Sequence, residues 1–153
     1  MGEEAKAVDL AYRAISRRDK TVTEVRRFLE HRAVEPDHIE HALSELEEAD
    51  FLNDARFAAR FAEDKRLLER WGRERIEREL CRRGIPAALA EVTVGEEGRE
   101  TELDAALSLL ADKVAPPADD RERDKAWRLL VRKGYEPELA YEAVSAHGRQ
   151  EVA

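Results

Sequence analysis

Residues 79–92 read ELCRRGIPAALAEV, and the pattern in them returns twice in the chain. Residues 28–43 read FLEHRAVEPDHIEHAL and residues 129–144 read LLVRKGYEPELAYEAV. In each a helix closes on a leucine (Leu29, Leu80, Leu130) and a turn position comes after it (Ala33, Gly84, Gly134). Then come an apolar residue (Val34, Ile85, Tyr135), a proline (Pro36, Pro86, Pro137) and a second apolar run. Gly just past one helix and Pro opening the next is the expected punctuation between two helices. The turn positions are 51 and 50 residues apart.

An earlier amphipathic helix precedes each pair. The apolar spacing predicts helices over about Ala5–Ser16 (Val8, Ala11, Tyr12, Ile15), Asp54–Leu68 (Phe57, Phe61, Leu68) and Thr101–Lys113 (Leu103, Ala106, Leu107, Leu110). A further helix is expected over about Trp71–Arg83. Thr21 and Glu24 fit a capping box, and Asn53-Asp54 or Asp119-Asp120 can each cap the helix after them. Gly95-Glu96-Glu97-Gly98 and Ala115-Pro116-Pro117-Ala118 are breakers. A unit of this size is marginal alone, so stacking is expected. The sequence reads as all-α: three tandem three-helix repeats, 1–51, 52–94 and 95–153, in an elongated, curved array.

Composition agrees with helices. Of the 153 residues 41% are charged, against roughly 25% in an ordinary globular chain, and strand-forming β-branched runs are nearly absent. Cys81 is the only cysteine, so no intramolecular disulfide framework exists. The first residues lack an apolar signal core, and no stretch approaches the roughly 20 apolar residues of a membrane helix. The expected protein is soluble, cytoplasmic and monomeric, with no membrane contact.

The net charge is −8, yet it is unevenly spread. Residues 1–51 carry 8 Lys/Arg against 13 Asp/Glu, and residues 95–153 carry 9 against 14. Residues 52–94 carry 10 against 8, so the middle alone is positive. With Ile76 and Leu80 inward, Arg75, Arg78 and Arg82 project outward, Arg73 and Arg83 flank the buried stripe, and Lys65, Arg66 and Arg70 extend the surface. These eight are the candidate residues for binding DNA or an acidic partner. The competing reading is an ordinary solvated face, since Glu74–Arg78 and Glu79–Arg83 are favourable i,i+4 pairs.

Nothing in the sequence carries catalysis. No phosphate-cradling glycine loop, GxSxG, HExxH or CxxC occurs, and the acidic Gly95–Gly98 stretch repels phosphate. His31, His38 and His41 lack a fixed further ligand and read as surface histidines, and Cys81 reads as a small helix residue despite its arginine neighbours. No enzyme, cofactor or metal is expected. A helix-turn-helix reader needs basic or amide residues where its last helix meets DNA. The candidates begin Pro36-Asp37, Pro86-Ala87 and Pro137-Glu138, which argues against base reading.

The combination Leu52-Asn53-Asp54, Phe57-Ala58, Gly72, Ile76, Leu80 and Gly84-Ile85 resembles the central signature of the RecX family of recombinase regulators. Thr21, Glu24, Leu29, Ile39, Leu43 and Leu46 extend it before, and Leu130, Gly134-Tyr135 and Val144 after, so it covers almost the whole chain. Ala33 and Asp50 stand where the family usually has glycine, which implies altered turns in the first repeat. The resemblance implies a non-enzymatic modulator of the RecA recombinase, most often an inhibitor. It would lodge in the filament groove on single-stranded DNA and limit ATPase and strand exchange, in DNA repair, recombination and the SOS response. Single-stranded DNA would be bound weakly or through RecA. An acidic helical adaptor for another protein, or a helix-turn-helix-like DNA binder, is the alternative.

Overall fold

The structure is a computed structural model that describes residues 2–149. Among these residues the chain is all-α, with no strand. The helices are α1 (Glu3–Arg17), α2 (Val22–His31), α3 (Pro36–Glu48), α4 (Asp54–Asp64), α5 (Arg73–Arg82), α6 (Ala87–Gly95), α7 (Arg99–Lys113), α8 (Asp120–Lys133) and α9 (Pro137–Arg149). A π-helical turn, Lys65–Glu69, continues α4.

The expected starts and stops hold chemically. Thr21 accepts the Glu24 N–H while Glu24 reaches back to the Thr21 N–H, a complete capping box. Asn53 Oδ1 accepts the Arg56 N–H and Asp119 Oδ1 the Glu122 N–H. One helix departs from expectation. The stripe Phe57, Phe61, Leu68 predicts a continuous α-helix, but the π turn inserts wider spacing after Asp64, so Leu68 rotates out of the stripe and is 78% exposed. Trp71 likewise stands before α5 rather than inside it.

The chain packs as two compact units, and these divide it differently from the sequence repeats. The first is Met1–Arg60 with Leu80–Ala90, and the second is Phe61–Glu79 with Glu91–Ala153. In the first, α1 presents Ala7 and Ala11, one turn apart, and these small side chains let it lie close on α3. Val25 and Leu29 of α2, Ile39, Leu43 and Leu46 of α3, and Leu52 complete that core. In the second, Leu109 and Leu110 of α7, Leu130 of α8, and Leu139, Ala143 and Val144 of α9 surround the buried Tyr135. Ile76 and Leu80 are fully buried, as their spacing requires.

The recurring turn has a single chemistry. Val34, Ile85 and Tyr135 each donate their N–H to the carbonyl of the leucine five residues earlier, at 3.2, 3.0 and 3.1 Å. This closure caps the helix by turning one residue left-handed and bringing the next apolar side chain onto the buried leucine. Gly84 and Gly134 take the left-handed position at φ 93° and 105°. Ala33, at φ 58°, takes it too, so the first repeat keeps the turn geometry rather than altering it. Asp50 is left-handed as well, at φ 61°. For alanine the conformation costs roughly 1–2 kcal/mol.

Ala33→Gly should therefore raise stability by about 1 kcal/mol, the relieved strain less glycine's greater chain entropy. Gly84→Ala should lower it by at least about 1–2 kcal/mol, because it adds the strain and drives a Cβ into Thr23. Urea unfolding followed by circular dichroism checks the opposite signs.

Candidate functional site

The positive middle of the chain begins at the junction before α4. Leu52 is buried, Asn53 caps α4, and Asp54 Oδ1 accepts the Val22 N–H at 2.9 Å, satisfying the start of α2. Burial, and the neighbouring Glu24 charge, push the Asp54 carboxyl above its ordinary value despite that bond. Asp54 thus serves a different helix from the one it begins.

In the first unit the start of α2 is seated on the end of α5. The Thr21 hydroxyl donates to the Arg83 carbonyl at 2.7 Å and the Thr23 hydroxyl to the Gly84 carbonyl at 3.1 Å. The Arg83 guanidinium forms two 3.0 Å hydrogen bonds to the Glu24 carboxylate and lies 4.7 Å over the Phe57 ring. It therefore turns to Glu24 for its carboxylate, not to its i,i+4 neighbour alone. Burial pushes the Glu24 carboxyl up, but the Arg83 and Thr21 hydrogen bonds and the Arg83 and Arg18 charges outweigh it and hold it below its ordinary value.

In the second unit the start of α5 is seated on the end of α8. Gly72 and Glu74 donate their N–H groups to the carbonyls of Lys133 and Gly134, at 2.8 and 3.0 Å. The Arg73 N–H goes to the buried Glu102 carboxylate at 2.6 Å. Any Cβ on Gly72 would lie 2.6 Å from the Gly134 backbone. Tyr135 donates its hydroxyl to the Arg70 carbonyl, and burial with the Glu102 charge pushes that hydroxyl up to about 12.

The eight candidate cations accordingly divide by what they touch. Arg66 and Arg73 donate to the carbonyls of Val94, in the last turn of α6, and Glu97, between α6 and α7, both at 3.0 Å, while their Nε atoms are buried with no partner among the described residues. Arg70 grips Asp112 at 2.6 Å and Ser108 at 2.9 Å on α7. Arg83 is committed to Glu24. Lys65 and Arg75 both attend Trp71, 4.8 and 4.1 Å from its ring centre, and Arg75 also donates to the Arg132 carbonyl. Arg78 and Arg82 are exposed on α5. Arg75 is half-buried rather than fully outward. Lys65, Arg66, Arg70, Arg73, Arg75 and Arg78 belong to the second unit, Arg82 and Arg83 to the first.

The arrangement leaves an aromatic ring dressed by two cations, with Arg78 one turn beyond Arg75. That suits a phosphate backbone or an acidic protein surface. Among the described residues no group of three or more His, Cys, Asp and Glu is placed to hold a metal ion, and no helix is long and apolar enough to cross a membrane. Cys81 is exposed. What sequence reasoning missed is the long-range partner of each arginine: no spacing rule links Arg83 to Glu24 or Arg70 to Asp112.

Comparison with known proteins agrees with this architecture. Residues 53–93 match the model of the second three-helix domain of RecX. The chain is 35% identical over 147 residues to the regulatory protein RecX of Deinococcus radiodurans, covering 93% of this chain and 69% of that protein. It is 31% identical to the Streptomyces coelicolor regulatory protein RecX, covering 93% and 76%. The crystal structure of RecX from Lactobacillus salivarius superimposes with a TM-score of 0.84 at 19% identity, over 94% of this chain and 96% of that one, which establishes likeness of fold.

Arg83→Ala should cost about 1.5–3 kcal/mol, the range for a charged hydrogen-bonding group with partly buried partners, while Arg78→Ala stays within about 0.5 kcal/mol. Since the folded Glu24 carboxyl is held below its ordinary 4.5, its contribution is present above that pH and fades as pH falls through the folded value. The Arg83→Ala penalty should therefore shrink below about pH 4.5. Urea titrations of both variants across pH 7 to 3 check it.

Proposed function

This chain belongs to the RecX family of regulatory proteins, and on that premise we propose that it is a non-enzymatic modulator, an inhibitor, of the RecA recombinase. It binds the RecA filament on single-stranded DNA and limits its ATPase and strand exchange, acting as a monomer in the cytoplasm during DNA repair and recombination. The observation that carries the reading is the family match over 93% of the chain. Support also comes from the absence of any catalytic motif in the sequence and from Trp71 dressed by Lys65 and Arg75.

Within the middle of the chain, the cations that lie over Trp71 or stand exposed on α5 are Lys65, Arg75, Arg78 and Arg82. Arg66, Arg70, Arg73 and Arg83 serve the fold first. Free protein then holds single-stranded DNA weakly and loses it as salt rises, because few phosphates are neutralised. The engagement of four of the eight candidate cations within the fold favours a protein partner over DNA as the main source of affinity. The starts of α3 and α9, Pro36-Asp37 and Pro137-Glu138, oppose a helix-turn-helix reading.

RecA ATPase on single-stranded DNA should fall when this protein is added. Arg75→Ala, Arg78→Ala and Arg82→Ala combined should stay folded yet lose inhibition together with its salt dependence. Unchanged ATPase with the wild-type chain, and capture of a different protein from extract, would establish the adaptor reading instead.

A further inference from the structure

Residues 95–153 are acidic as a whole, 9 Lys/Arg against 14 Asp/Glu, and that sum hides a basic stripe on α8. Residues 125–133 hold Lys125, Arg128, Arg132 and Lys133 with no acid among them. At about 100° per residue, Arg121, Lys125, Arg128 and Arg132 fall within about 60° of one another. Beside them, in the second unit, lies a groove of about 430 Å³. Lys125 and Arg132 line it together with Lys113 from the end of α7, around an aliphatic floor of Val114, Ala126 and Leu129. We propose that this groove binds a short acidic peptide segment with an aliphatic side chain, displayed by the recombinase. The inference rests on the RecA reading and deepens it by naming a contact and its chemistry.

Three observations carry it. First, the cations are available and the nearby acids are engaged. Glu122 also lines the groove, but its carboxylate accepts the Ala118 N–H at 2.8 Å. Asp112 is held by Arg70 at 2.6 Å, Asp120 by Arg123 at 3.0 Å and Asp124 by Arg128 at 2.9 Å, while Asp119 caps α8. Lys113, Arg121, Lys125 and Arg132 are exposed, and no side-chain hydrogen bond or ion pair ties them down among the described residues. The groove lining thus sets Lys113, Lys125 and Arg132 against Glu122 alone, which selects an anion.

Second, the stripe is short and closed by acids. Asp119 and Asp120 precede Arg121, and Glu136 and Glu138 follow Lys133. Glu69 and Glu74 also stand at that far end, where Lys133 Nζ meets the Glu69 carbonyl and the Glu74 N–H meets the Gly134 carbonyl. A phosphate backbone running past the patch meets carboxylates at both ends, whereas a peptide of a few residues does not. Lys125 to Arg132 spans about 10 Å of helix, the reach of about three extended residues. Third, the floor is aliphatic. No aromatic ring lines the groove, so a base finds nothing to stack on, while an aliphatic side chain gains burial there. The occupant is therefore an acidic peptide.

The test compares wild type with Lys125→Glu/Arg132→Glu and with Arg17→Glu/Arg27→Glu, an equal charge change on two exposed arginines of the first unit. Each is titrated onto RecA assembled on single-stranded DNA, onto oligothymidylate alone, and with a labelled, capped pentapeptide of four glutamates around a central leucine. All altered side chains are exposed, so both variants should melt as wild type does. The groove variant should lose about tenfold or more of its affinity for filaments and for the peptide, and the control variant about threefold or less. Oligothymidylate affinity should fall alike in the two. Filament binding that falls equally in both variants overturns the groove while leaving the RecA reading standing. Equal peptide binding by wild type and groove variant, or none by either, also overturns it. A fall in oligothymidylate affinity confined to the groove variant assigns the groove to nucleic acid and overturns the peptide. Failure of wild type to bind filaments at all overturns the RecA reading and this proposal with it.

Discussion

A helix end must put its unpaired backbone groups somewhere, and here one helix end is used to satisfy another. The first N–H groups of a helix and its last carbonyls lack partners within it, and they carry opposite partial charge. At the start of α5, Gly72 and Glu74 donate to the Lys133 and Gly134 carbonyls that end α8. At the start of α2, the Thr21 and Thr23 hydroxyls reach the Arg83 and Gly84 carbonyls that end α5. Both junctions depend on the left-handed closures at Gly84 and Gly134, which pull the chain aside and leave those carbonyls in reach.

The arginines obey the same requirement. Guanidinium groups are many-donor, planar and always charged, and so suit stray carbonyls near helix ends. Arg66 binds a carbonyl at the end of α6, Arg73 one between α6 and α7, Arg75 one near the end of α8, and Arg83 locks the capping-box glutamate of α2. The positive middle of an acidic chain is thus in large part internal scaffolding. Arg78 and Arg82 are exposed on α5, and Lys65 and Arg75 lie over the Trp71 ring.

Much of this was legible in the sequence where the signal is local. Thr21 with Glu24 spells a capping box, Leu80 with Gly84-Ile85 spells a closure, and Ile76 with Leu80 spells a buried stripe. The π turn was not legible, because Phe57, Phe61 and Leu68 fit a straight helix equally well and tertiary bonds from Lys133 and Tyr135 reach the wider one. Nor could the arginine surface be sorted. Arg83 and Glu24 lie 59 residues apart, and Arg70 and Asp112 lie 42 apart, so their pairing exists only in the folded chain. Helical projection gives direction about an axis and says nothing of what stands opposite.

The junction between α5 and α8 offers the most direct test. A methyl group at Gly72 would stand 2.6 Å from the Gly134 backbone, whereas one at Gly95, the last residue of α6, meets nothing within 4 Å. Urea unfolding of Gly72→Ala and Gly95→Ala should separate them. Gly72→Ala is expected to lose about 1–3 kcal/mol or more, as overpacking does, and Gly95→Ala to match or exceed wild type. A Gly72→Ala protein as stable as wild type would contradict the claim that seated helix ends hold this fold.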